Sequence, residues 1–152
     1  MWKIIQMLVI VILLNCCMAG DFRKYTVYYV PLEIDFFVPP SRENIMKGGA
    51  RFEIQSSVLD AMYEAINEQK NEEILTFDDC SLIRVLIINN AGKEVFITQD
   101  KIIVSIQDNK KYIFNSSKID EILRVITVIG DDLYEKKVEF FKKVVFSIQK
   151  VL

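Results

Sequence analysis

Glu33 and Asp35, in the stretch "LEIDFF", come closest to a catalytic pair in this chain. Two positions apart on an extended segment, they face the same way. If one were desolvated it could hold a proton while the other acted as base. Acids on an exposed strand also keep a sheet edge soluble, and that reading accounts for both without chemistry. Ser116, Ser117 and Lys118 offer a hydroxyl beside an amine, but their place at a helix start explains the serines as caps. Cys80 follows Asp78 and Asp79, whose negative charge disfavours a reactive thiolate. The sequence contains no histidine. That removes the commonest metal ligand and the usual general base near neutral pH. A Ser-His-Asp triad is therefore excluded, and a zinc site would have to rest on carboxylates and Cys80. No phosphate loop, dinucleotide fingerprint or calcium loop is present. The chemistry-bearing residues predict a non-enzymatic protein with no cofactor and no metal.

Two more cysteines, Cys16 and Cys17, close an apolar opening, "MWKIIQMLVIVILLNCCMAGD". Lys3 is its only charge before Asp21, and Ile4 to Leu14 is apolar apart from Gln6. That run fits the apolar part of an export signal and is shorter than the roughly 20 residues of a spanning helix. Residues 1–19 are thus read as a signal, with 20–152 as a single domain. Cys17-Met18-Ala19 followed by Gly20 suits ordinary cleavage. "LLNCC" also resembles the signal of a bacterial lipoprotein, in which a leucine lies three positions before the acylated cysteine. Asn15 departs from that pattern, standing where glycine or alanine is usual if Cys16 is modified. The resemblance implies lipidation of Cys16 or Cys17 and a place in the periplasm or cell envelope. An uncleaved anchor is a third outcome. If residues 1–19 are removed, Cys80 alone survives and no internal disulfide can form, so a packed core must hold the fold.

The elements that would position any site read as α+β. Tyr25 to Val38 is aromatic and β-branched, and Pro31 within it predicts an edge strand, a bulge or a break. Ser41 could cap a short helix stopped at Gly48-Gly49, or the chain could run extended into "RFEI". Ser57 with Asp60 resembles a capping box, opening a helix with Val58, Met62, Ala65 and Ile66 on one face. "LIRVLII", "EVFIT", "KIIVSI" and "KYIF" predict an antiparallel meander, with Leu82–Ile88 central because only Arg84 interrupts its apolar run. Ser117 and Asp120 repeat the capping arrangement before a helix expected to end at Gly130. Asp131 or Asp132 then opens a final helix. Its stripe, Tyr134, Val138, Phe141, Val145, Ile148 and Leu152, alternates steps of four and three, and Phe140, Val144 and Val151 widen it. The expected fold is an antiparallel β-sheet of about four to six strands with two or three helices packed mainly on one face.

A formal charge of −2 gives no reason to expect nucleic acid, which calls for a basic stripe. Charge is instead clustered. Glu68, Glu72, Glu73, Asp78 and Asp79 lie between the first clear helix and the central strand, as a solvated loop or as a surface that steers a basic partner. The last helix gathers Lys136, Lys137, Lys142, Lys143 and Lys150, which solvate its polar side and would also attract anionic lipid. Its wide apolar face predicts burial against the sheet, or partner contact through Tyr134 and Phe141. The reading that joins these features is an exported protein-binding domain, in one version an inhibitor or immunity protein covering a basic site on a toxic enzyme. An accessory subunit of an envelope assembly and a small-ligand binder are the alternatives.

Overall fold

The computed structural model describes residues 23–31, 41–68, 72–76 and 83–149. The described residues form seven strands and three helices: β1 Lys24–Tyr29, α1 Arg42–Gly48, β2 Ala50–Gln55, α2 Ser57–Asn67, β3 Glu72–Ile74, β4 Ile83–Ile88, β5 Glu94–Thr98, β6 Ile103–Ser105, β7 Lys110–Tyr112 and α3 Ser116–Gln149. The strands form one sheet in the order β2-β1-β4-β5-β6-β7-β3, and the pairings are antiparallel. The α+β class is as expected. The sheet is larger than expected because "RFEI" does extend into β2 and because the acidic connection contains β3.

β4 through β7 are the meander read from the sequence. Their side chains alternate between two cores, as the two-residue period of a strand requires. Tyr25, Val27, Val85, Ile87 and Ile103 face α2 and α3, whereas Tyr28, Leu86, Phe96 and Val104 face α1. Two helices thus cover one side and the short α1 the other. Arg84, the polar interruption in β4, is fully buried, and its guanidinium donates to Gln99 Oε1 at 2.6 Å.

β1 corrects the expectation of an edge. It lies inside the sheet between β2 and β4. Pro31 follows the strand, after Val30 N has donated to Arg84 O at 2.9 Å, and the rest of the expected extended run, 32–38, lies outside the described residues. The edges are β2 and β3.

The caps also differ in detail. Ser41 does cap α1, accepting from Asn44 N. For α2 the cap is Ser56, which accepts from Val58 N. Asp60 is instead held by the Tyr25 hydroxyl, which donates to it at 2.6 Å while the Tyr25 and Tyr63 rings stack at 5.3 Å. Asn115 caps α3, its side-chain oxygen accepting from Lys118 N at 2.8 Å, with Ser116 and Ser117 in the first turn.

Gly130 does not end a helix. The 34 residues of α3 run straight through it, about 50 Å at 1.5 Å per residue. A Cβ at Gly130 would lie 2.4 Å from Cδ1 of Tyr29. The glycine is there so that the helix can press on the Tyr29 ring, whose hydroxyl donates to Asp131 at 2.7 Å. One expected pair of helices is therefore a single long one.

Candidate protein-docking surface

The two halves of α3 have different surroundings. Ile119, Ile122, Leu123 and Ile126 are buried against the sheet, and Gly130 meets Tyr29. Leu133, Tyr134, Lys137 and Val138 are half-buried. From Glu139 to Phe146 every residue is exposed. Among them Phe140 is 63% exposed, Phe141 55% and Phe146 60%. The sheet ends while the amphipathic pattern continues.

Lys137 marks the boundary. Its ammonium donates to Lys47 O at 2.8 Å and Gly49 O at 2.7 Å, the carbonyls that end α1. Such carbonyls favour a cation both as hydrogen-bond acceptors and as the negative end of the helix dipole. Partial burial lowers the Lys137 pKa below the ordinary lysine value. Beyond this tie, Val138, Phe141, Lys142, Val145 and Phe146 line a shallow open groove of about 420 Å³. The rings of Phe140 and Phe141 meet edge to face at 6.1 Å. The wide stripe expected to lie against the sheet begins at Tyr134; Tyr134 and Val138 are half-buried, whereas Phe140, Phe141, Val144 and Val145 are exposed, so burial fails over most of its described length.

The acidic residues are not one loop. Glu68 caps the C-terminus of α2, its N–H donating to Glu64 O, and is exposed. Glu72 and Glu73 lie on edge strand β3, paired in register with Tyr112 and Lys111 of β7. Both Glu72 carboxylate oxygens accept from Lys110 Nζ, at 2.6 and 2.7 Å, and Glu73 lies 3.5 Å from Lys111 Nζ. These two acids pin the sheet edge, which the sequence alone had left as a solvated loop. Cys16, Cys17, Asp78 and Asp79 lie outside the described residues, as do Glu33, Asp35 and Cys80.

Of the catalytic alternatives only the Ser116–Lys118 group is described: Ser116 and Ser117 line an open hollow with Asp120, Glu121 and Arg124. Lys118 Nζ lies 3.4 Å from Glu121 in the first turns of α3. Among the described residues there is no group of three or more His, Cys, Asp or Glu that could hold a metal ion. No described helix is long and apolar enough to cross a membrane. The residues that sequence reasoning under-weighted are Phe140, Val144, Val145 and Phe146. Their only signal was the breadth of the apolar arc, which exceeds the narrow seam of a simple helix pair. Compared with protein families, with characterised proteins and with solved structures, the chain gives no match.

Proposed function

We propose that this chain is an exported, non-enzymatic binding domain that docks a protein partner through the projecting half of α3. The observation that carries the reading is the run of exposed residues from Glu139 to Phe146 on a helix whose first half is core. Phe140 and Phe141 form an exposed aromatic pair whose rings meet edge to face, and exposed apolar patches of this kind mark interaction sites. Covering a phenylalanine contributes roughly 1.5–3 kcal/mol, so a partner that seats both gains enough to offset part of the cost of association. This favours an accessory or assembling role for the domain. In the inhibitor version the acidic segment would do the binding, yet Glu72 and Glu73 are engaged with Lys110 and Lys111. The opening signal supports export, and the intact mass of the native product distinguishes cleavage after Ala19 from acylation at Cys16 or Cys17.

The test is a double substitution, Phe140→Ser with Phe141→Ser, in the full chain. Both side chains are exposed, so thermal stability should change little. A stoichiometric complex isolated from the source should be lost. A complex that survives the substitution with undiminished stability would refute docking by α3.

A further inference from the structure

Separately from α3, we infer that two copies of this chain pair antiparallel along the open edge of β2, joining their sheets into one. The first observation is which backbone groups that edge presents. Val30 N donates to Arg84 O, so Val30 turns its N–H and C=O towards β4. These groups alternate in direction along a strand, and Val27 and Tyr29 therefore turn theirs towards β2. Their partners Phe52 and Ala50 face back, which leaves the N–H and C=O of Arg51 and Glu53 directed away from the sheet. No described strand lies beyond β2. On the α1 side of this edge Arg51, Glu53 and Gln55 are exposed, so that flank is open. The second observation is that the edge is unprotected. Sheet edges are normally kept from pairing by shortness, proline, lysine, a bulge or an inward-facing charge. β3, the other edge, has three residues and ion pairs to Lys110 and Lys111. β2 has six residues in unbroken register with β1, and none is proline or lysine. Its inward side chains Ala50 and Phe52 are apolar and buried.

The third observation is self-complementarity, which makes the occupant a second copy. Outward-pointing groups must meet outward-pointing groups, so Arg51 and Glu53 meet the same two residues of the other chain. A twofold axis at Phe52 sets Arg51 opposite Glu53 of the second copy and Glu53 opposite its Arg51, each pair exchanging both N–H···O bonds. Moving the axis to Arg51 or Glu53 sets like charges face to face, which disfavours those registers. Phe52 then meets its own counterpart on the side of α2 and α3, so the larger cores of the two copies become neighbours. Arg51 and Glu53 already have partners within the chain. Arg51 Nε donates to the Tyr28 hydroxyl at 3.3 Å, its Nη2 lies 3.6 Å from Glu53, and Glu53 pairs with Lys24. These exposed side-chain contacts leave the backbone edge open. Backbone pairing therefore supplies the attraction, and the order of charges selects the register.

The test is sedimentation equilibrium of the full chain, as its source processes it, across a series of concentrations. The native chain should dimerise. Arg51→Glu and Glu53→Arg, each alone, place like charges across the axis and should weaken the dimer about tenfold or more. Mixed together, the two single variants should recover it, because each then faces the opposite charge in the other. A defect confined to one chain is not repaired by mixing, so recovery reads contact between copies. Glu53→Pro removes an outward N–H that pairing with β1 does not use. It should leave the circular dichroism intact while abolishing the dimer. A chain that stays monomeric at every concentration overturns the inference, including the case in which β2 takes a strand from another protein. A dimer indifferent to all three substitutions, or weakened by the charge reversals and not recovered on mixing, overturns it as well. So does a dimer lost with Phe140→Ser and Phe141→Ser, which would place the contact on α3.

Discussion

Gly130→Ala sets two magnitudes against each other. In a helix interior this change gains about 1 kcal/mol, because alanine is the better helix former. Here the added Cβ would lie 2.4 Å from Tyr29 Cδ1, 2.8 Å from Cγ and 2.9 Å from Cε1. Carbon atoms rest at about 3.5–4.0 Å, so the ring must retreat by roughly 1 Å. It has little room. Tyr29 is buried, its strand is paired to Ala50 on one side and Val85 on the other, and its hydroxyl is held by Asp131. Overpacking of this kind costs about 1–3 kcal/mol, and a displaced hydroxyl adds about 0.5–1.5 kcal/mol. After the propensity gain, the net expectation is a loss of roughly 1–3 kcal/mol, seen as a Tm drop of several degrees. Urea denaturation followed by circular dichroism measures it. In a Tyr29→Leu background, which opens space under the helix, the same Gly130→Ala change should cost nothing or stabilise. If Gly130→Ala stabilises the native chain by about 1 kcal/mol, the close approach is wrong and the glycine has no packing role.

Alkaline pH should unfold the domain through its buried tyrosines. Desolvation raises the pKa of Tyr25 and Tyr63, and pushes Tyr112 up to about 12. The stability that these phenols contribute is complete below about pH 10, the unfolded value, and is lost as pH rises through their folded values. Tyrosinate absorbance should therefore appear together with loss of ellipticity; independent, earlier ionisation would contradict the burial. Tyr63→Phe should flatten the alkaline slope while weakening the fold at neutral pH, since its hydroxyl donates to Ile87 O and Lys93 O. Glu72→Gln with Glu73→Gln should speed amide exchange across residues 72–74 while lowering global stability by less than about 1 kcal/mol, because part-exposed ion pairs are weak. Unchanged exchange at β3 would mean that the lysines of β7 do not hold this edge.

Much of the architecture follows from pattern. The meander β4–β7 was legible from four β-branched runs separated by turn residues, and α2 from the spacing of Val58, Met62 and Ile66. What escaped was decided by tertiary context. Pro31 suggested an edge, but it stands two residues past the end of β1, which is free to pair on both sides. β3 hid inside "NEQKNEE" and the residues after it, because an edge strand held by ion pairs has no apolar period to betray it. Gly130 looked like a helix stop, and only the Tyr29 ring explains why glycine is needed mid-helix. The candidate surface was half legible. The stripe through Tyr134, Phe141 and Val145 stood out at once, but periodicity shows that a helix has an apolar face, not how far the sheet beneath it extends. The exposed acids misled in the opposite sense, since sequence cannot show that Lys110 and Lys111 sit across the ladder from Glu72 and Glu73.

The docking claim is tested most directly by contact at the site. A photo-cross-linking residue, benzoyl-phenylalanine, in place of Phe141 in the native source reports what lies against α3 within a few ångströms. The account predicts one discrete protein adduct of defined mass, absent when the probe replaces exposed Glu64 on α2. Adducts only to lipid, or to no macromolecule at all, would contradict it.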